Sequence, residues 1–220
     1  MEHQTTEIRH HLPDDVLMAY SAGALPEAFS LVVATHVSLC DACRARLGSF
    51  DAVGGAVLES SDVAEIRADS LEATMALIAA QDGVRDTPRV AKTNAVFPEP
   101  LQRYIDGDLD AVSWRAVGGG VRQSIIPTSS EATVRLLHIP AGTAIPDHGH
   151  NGTEMTLVLK GAFRDEFDRF ARGDIEVANE DLEHTPVAEA GEDCICLAAT
   201  DAPLKFSGLL PRIAQRFAGI

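Results

Sequence analysis

Basic residues are scarce in this chain: 18 lysines and arginines stand against 33 aspartates and glutamates, a formal charge of −15. Phosphate backbones are held by clustered Lys and Arg, so this balance argues against direct nucleic-acid binding. Long apolar runs are missing too. Leu31 to Ala34 is typical of the uninterrupted ones, far short of the roughly 20 residues that span a bilayer. Met1 to Asp15 is polar and charged with no signal-peptide core, so a cytoplasmic location is expected. Four cysteines, one C-x-x-C (Cys40, Cys43) and one C-x-C (Cys194, Cys196), are too few for a disulfide-stapled secreted domain. They suit metal or redox thiols in a reducing compartment. Internal repeats, low-complexity tracts and a phosphate-cradling P-loop are all lacking. Apolar material is plentiful at 45% of 220 residues, enough for the core of one large domain or two modest ones.

Two textures divide the chain. In its first part, apolar residues recur at helical spacing. Residues 14–24 place Val16, Leu17, Tyr20 and Ala24 on one face behind a possible Asp14 N-cap, and Gly23 and Pro26 then break the helix. Glu27 to Leu39 carries Phe29, Leu31, Val32, Val33 and Val37, apolar around more than half its girth, as in a helix that is buried or docked on a partner. A third helix is expected over Asp41 to Leu58, weakened at Gly54-Gly55. A fourth over Ser70 to Ala80 has Leu71, Met75 and Ile78 on one stripe. Residues 82–98 combine mixed polarity, two prolines and no period, and read as a linker. Beyond it, short β-rich pieces alternate with turn residues: Trp114 to Val117, Val121 to Ile126, Thr133 to Ile139, Met155 to Leu159, Asp174 to Ala178 and Cys194 to Ala199. Such spacing predicts an antiparallel sandwich or barrel. The expected organisation is a helical domain over 1–81, the linker, and a β domain over 99–220. Residues 1–80 hold 12 acids and 4 bases against 21 and 14 in the remaining 140, so the helical part is much the more acidic. That fits solubility, or docking on a basic partner.

The first part contains His36-x3-Cys40-x2-Cys43. On a helix His36 and Cys40 share a face, and Cys43 is reachable from that face or from the helix end. One imidazole and two thiolates supply three of the four ligands of a tetrahedral zinc site, with His10 or His11 available as the fourth. The bland alternative for the two cysteines is a pair of small buried core residues.

The β part holds a denser group. His148 and His150, one residue apart, project from the same face of a strand. Glu154 can return to that cavity after the turn at Gly152, and His184 would arrive from a facing strand. This N/O ligand set suits zinc, iron, manganese, nickel or copper, and ligand type alone does not choose among them; zinc is the metal expected, otherwise iron, manganese or nickel. Cys194 and Cys196 share one face of a predicted strand, either as apolar filler or as oxidisable thiols.

The spacing Gly142-x5-His148-x-His150-x3-Glu154-x6-Gly161 resembles the first motif of the cupin superfamily, a small jelly-roll barrel. Gly173-Asp174 and His184 resemble parts of its second, although Asn179, Asp181 and Ala188 depart from it. With a cupin in place, the opening is similar to the zinc-binding anti-sigma domain, whose pattern of an upstream His before His-x3-Cys-x2-Cys implies His11, His36, Cys40 and Cys43 as ligands. The two modules in this order resemble the ChrR family of anti-sigma factors. The resemblance implies a protein of several domains, α plus β. It has a zinc-bound bundle of about four helices, which inactivates an extracytoplasmic-function sigma factor by a 1:1 contact until singlet oxygen or related oxidants appear. Its cupin-type antiparallel barrel, with metal at His148, His150, Glu154 and His184, is then the sensor. Catalysis is not expected. Part of the Phe29, Leu31, Val32, Val33 stripe is expected to contact the sigma factor, because so small a helical domain cannot bury it all. The rival reading is a metal-dependent cupin enzyme, dioxygenase- or isomerase-like, with a helical regulatory domain.

Overall fold

A computed structural model describes residues 7–80, 95–203 and 205–206. Most of the expected linker, and residues 207–220 of the expected β domain, lie outside the described residues. Five α-helices precede the strands: α1 (Asp14–Ser21), α2 (Glu27–Leu39), α3 (Asp41–Ser60), α4 (Ser70–Ala80) and α5 (Glu99–Ile105). The first helix begins behind Pro13 without a side-chain cap, its two leading aspartates favouring the positive end of the helix dipole instead. Pro26 occupies the N-cap of α2 rather than its first turn. Gly54-Gly55 does not interrupt α3, which runs for 20 residues.

Cys40 ends one helix and begins the next. Its extended backbone (φ −103°, ψ 104°) makes it the C-cap of α2 and the N-cap of α3, and its sulfur accepts the Cys43 N–H. The two helices bend by 117° at this residue.

The strands are β1 (Arg115–Gly118), β2 (Val121–Ile126), β3 (Thr133–Ile139), β4 (His148–Gly149), β5 (Glu154–Lys160), β6 (Ala162–Arg164), β7 (Arg169–Ala171), β8 (Ile175–Ala178), β9 (Glu183–His184), β10 (Val187–Ala188), β11 (Cys194–Thr200) and β12 (Lys205–Phe206). They pair antiparallel throughout, as a six-stranded sheet β1-β2-β3-β11-β5-β8 and two three-stranded sheets, β10-β6-β7 and β12-β4-β9. Alternation along the long strands sends successive side chains to opposite faces. Leu136, Leu157, Ile195 and Leu197 face the helices, whereas Val158, Cys194, Cys196, Phe163 and Phe170 fill the inside. The tight corner between β5 and β6 requires Gly161: φ is +68°, and a Cβ there would lie 2.6 Å from the Asp193 carbonyl oxygen.

The apolar helix α2 packs against β11, β5 and β3 of the six-stranded sheet and against α5. This corrects the expectation that Phe29, Leu31, Val32 and Val33 are left for a partner, because all four are buried in a core that the helices and the sheet share. The barrel supplies the covering surface that the helical part lacks by itself, at about 1.5–3 kcal/mol per buried side chain. Glu27, at the start of α2, reinforces the seam by accepting from the Tyr104 hydroxyl (3.0 Å) and the Ser129 N–H (2.7 Å). Phe97, assigned to the linker by composition, is also buried in this core. The Val96 and Phe97 N–H groups donate to the Asp108 carboxylate.

Candidate metal centres

The corner at Cys40 gathers the first site. His36 stands in the last turn of α2 and Cys43 in the first turn of α3, and the bend turns both toward the segment before α1. His11 Nδ1 lies 3.2 Å from Cys40 Sγ and 3.7 Å from Cys43 Sγ. One ligand atom from each of His11, His36, Cys40 and Cys43 falls within 4.8 Å of all the others. His10 points away, its Nε2 3.0 Å from Asp168 Oδ2 and its ring against Phe170.

The chemistry of this set fits a tetrahedral dication. Both ring nitrogens of buried His36 lack a hydrogen-bond partner among the described residues, a costly arrangement unless a metal takes one of them. Burial pushes the His36 pKa down to about 4, so its imidazole is neutral and ready to ligate at pH 7. Burial, with Cys40 adding to it, raises the Cys43 thiol to about 11. A bound cation would favour the Cys43 thiolate beside the Cys40 sulfur, and a closed S₂N₂ set is the usual structural zinc arrangement.

The segment carrying His11 is pinned to the β part. Asp174, just before β8, accepts through Oδ1 from the backbone N–H groups of Arg9 (2.6 Å) and His10 (2.9 Å), and through Oδ2 from Ala171 N–H (2.8 Å). Ile8 lies over Gly173, where a Cβ would come within 2.6 Å of its Cδ1. The first centre therefore sits on the seam between helices and barrel.

The second centre is a cluster of three buried imidazoles. His148 of β4 is paired in register with His184 of β9, so His184 comes from the neighbouring strand rather than a facing one. With His150, which follows β4, their ring centroids are 4.8–5.5 Å apart. The His148 Nδ1 donates to the Pro146 carbonyl oxygen at 2.9 Å, leaving Nε2 as the ligating nitrogen. Glu154 lies beside this cluster rather than within it. Its carboxylate is 3.8 Å from His150 Nδ1 and accepts from Thr156 Oγ1 at 3.0 Å.

Two carboxylates with no motif spacing also belong here. Asp165 Oδ2 and Glu176 Oε1 lie 3.0 and 3.2 Å from His184 Nδ1, with the Asp165 and His184 side chains almost wholly buried. They fix the ring so that Nε2, which has no hydrogen-bond partner among the described residues, faces the other imidazoles. Burial alone would lower the His184 pKa, but Glu176 and then Asp165 outweigh it and raise it to about 9. Burial likewise pushes Asp165 up, and N–H donors from Asp168 and Phe167 together with His184 more than reverse it. Glu176 is raised, chiefly by burial. Three imidazoles with an adjacent carboxylate suit zinc, iron, manganese or nickel. Asp165, Glu176 and His184 also lie close enough together to hold a cation.

Cys194 and Cys196 sit side by side on β11, Sγ to Sγ 3.5 Å, and both are buried. The Cys194 contact, then burial, pushes the Cys196 thiol well up. The exposed, acidified setting that ready thiol oxidation requires is therefore not what surrounds them.

The family model described as the ChrR cupin-like domain matches residues 103–203. Over 210 residues, covering 96% of this chain and 98% of the relative, the chain is 58% identical to the anti-sigma-E factor ChrR of Cereibacter sphaeroides. The crystal structure of Rhodobacter sphaeroides SigE in complex with the anti-sigma factor ChrR superposes at a TM-score of 0.76 with 58% identity, covering 88% of this chain and 99% of that one.

Proposed function

Since the chain belongs to the ChrR family of anti-sigma factors, we propose that its helical half sequesters an extracytoplasmic-function sigma factor. We further propose that oxidative stress, singlet oxygen included, releases that factor through the metal-bound barrel. The family's named member is a regulator rather than an enzyme, which sets aside the catalytic-barrel reading. The partner is engaged one to one in the cytoplasm, and among the described residues no single helix is long and apolar enough to cross a membrane.

The observation that carries this reading is an uncovered apolar surface. In the second half of α3, Val53, Val57 and Leu58 are exposed, and none of α4 is buried. Leu71, Met75 and Ile78 form a stripe there, each more than half exposed. Apolar helices left uncovered in this way are surfaces for another protein. The acidic character of residues 1–80 suits a sigma factor's basic DNA-binding faces, and occupying those faces inhibits by mass action, with no chemistry needed. Zinc at His11, His36, Cys40 and Cys43 would hold the corner from which α3 projects, with a binding free energy on the order of 10 kcal/mol appearing as folding free energy. The second metal would sit at His148, His150 and His184, with Glu154 beside them. A signal acts there by favouring the free over the bound conformation.

Substituting Leu71, Met75 and Ile78 together by aspartate tests the reading. Because these side chains are exposed, the variant should keep its far-UV circular dichroism and its zinc. It should also lose capture of the co-expressed sigma factor and repression of sigma-dependent transcription in vitro. Undiminished capture by the folded variant would overturn the assignment.

A further inference from the structure

Core packing along α3 stops at Phe50. Leu47 and Phe50 still lean on the shared core, and Asp51 accepts from the Ser21 hydroxyl of α1 at 2.6 Å. Throughout residues 52–69 every side chain is exposed, and in α4 only Ser70 and Ala73 reach half-burial. Among the described residues, the side-chain hydrogen bonds of 52–80 and its Arg67–Asp69 ion pair stay within the stretch. The rest of the fold buries none of its side chains.

Helices of this size do not hold themselves in water. Isolated helices shorter than roughly 12–15 residues are marginal even in alanine-rich sequences, and α4 has 11 residues. The unpacked end of α3, residues 52–60, is shorter still and carries Gly54-Gly55 between Val53 and Val57. Glycine is the poorest helix former after proline, and the β-branched valines lose side-chain freedom in a helix. Composition argues equally against an arm that stays in water. Leu71, Met75, Leu77 and Ile78 make α4 apolar around most of its girth, all four more than half exposed, and such a helix is stable when enclosed. Between the helices, Val63 and Ile66 are 96% and 80% exposed. The acids Glu59, Asp62, Glu65, Asp69 and Glu72 outnumber the single base Arg67. That charge suits a basic partner and not the rest of this chain, which is itself net negative.

We propose that residues 52–80 form an arm that folds onto the sigma factor instead of presenting a ready-made surface to it. The proposal rests on the reading that the sigma factor docks there. Up to Phe50 the chain is held by the corner at Cys40 and by the core. Beyond it the helices exchange with coil in the free chain, and the partner completes them by supplying the apolar cover that α4 lacks. Ordering the arm draws on the gross binding free energy, so affinity follows the arm's own helix-forming tendency as well as its contacts.

Hydrogen exchange on the full-length, zinc-loaded chain, free and in complex with its co-expressed sigma factor, tests this. In the free chain the amides of 52–80 should exchange within seconds while those of 45–50 stay protected, and complex formation should protect both. Gly54→Ala and Gly55→Ala supply a second readout, because a Cβ at either position meets nothing within 4 Å. Each should raise the helix content of the free chain by far-UV circular dichroism and tighten sigma binding about two- to fivefold. Arm amides as protected in the free chain as in the complex would overturn the proposal, as would helix content or affinity that fails to rise in the double variant. Failure of the native chain to capture any sigma factor would reject the docking reading itself, and the proposal with it, on a separate readout.

Discussion

Replacing Asp174 by asparagine should weaken metal binding at a centre to which Asp174 contributes no ligand. Its buried carboxylate accepts three backbone N–H groups, two of them from Arg9 and His10, immediately before His11. Bonds to an ionised acceptor are worth about 1.5–3 kcal/mol each, roughly twice a neutral one. Asparagine preserves the shape, but its amide can present oxygen to the Arg9 and His10 donors only by turning its NH₂ toward the Ala171 N–H. Two weakened bonds and one donor-to-donor contact cost about 3 kcal/mol in all. If the leading segment docks as a unit with His11, that loss corresponds to somewhat more than 100-fold in affinity. With partial coupling the expected fall in zinc affinity of the His11, His36, Cys40, Cys43 set is about 10- to 100-fold, as for groups that orient metal ligands. Competition against a chelator of known affinity gives the first number, and hydrogen exchange at the Arg9 and His10 amides the second. If the amides lose protection while zinc affinity stays within about twofold, docking on the barrel does not position the ligand.

Other consequences are testable alongside it. Asp165→Asn with Glu176→Gln should cost the barrel about 10- to 100-fold in metal affinity while leaving the first centre unchanged, as metal analysis of the full chain after graded chelation would read. In metal-free protein, His36 has a folded pKa of about 4 against an ordinary value of 6.5. The unfolded chain therefore binds the extra proton, and this stabilisation is complete above 6.5 and lost as pH falls toward 4, about 3 kcal/mol in total. Urea melts at pH 7.5 and 4.5 should show that loss in the native metal-free chain and not in His36→Gln. Phe29→Ala should lower stability by about 3 kcal/mol, the cost of a buried cavity. An effect of Phe29→Ala on sigma binding without loss of stability would return that residue to the contact surface.

The first centre was legible because its spacing is short and local. His36, Cys40 and Cys43 lie within eight residues of one another, so a short motif marks them, although the corner at Cys40 and not one continuous helix brings them together. The long strands were legible for the same reason, through alternation over six or seven residues. The two- and three-residue strands β4, β6, β7, β9, β10 and β12 are too short to carry a period. The burial of Phe29, Leu31, Val32 and Val33 depends on a sheet more than 100 residues downstream, and no local pattern announces what covers an apolar helix. Asp165 and Glu176 carry no motif and meet at His184 only through the folded sheet. Arg135 between Val134 and Leu136 reads as the outward residue of a half-exposed strand. In the folded chain that position is only 4% exposed, so the side it occupies is an interior.

The double duty of Cys40 carries a mechanical consequence. One residue ends a helix through its backbone N–H, starts the next through its sulfur and offers that sulfur as a ligand, so the joint has no slack. Inserting a single residue between His36 and Cys43 would rotate everything after it by about 100° around the helix axis. The arm that reaches for the partner would then swing with it. Length at this joint is therefore as constrained as chemistry, and a chain lengthened by one residue there should fail as a clamp even with every ligand still present.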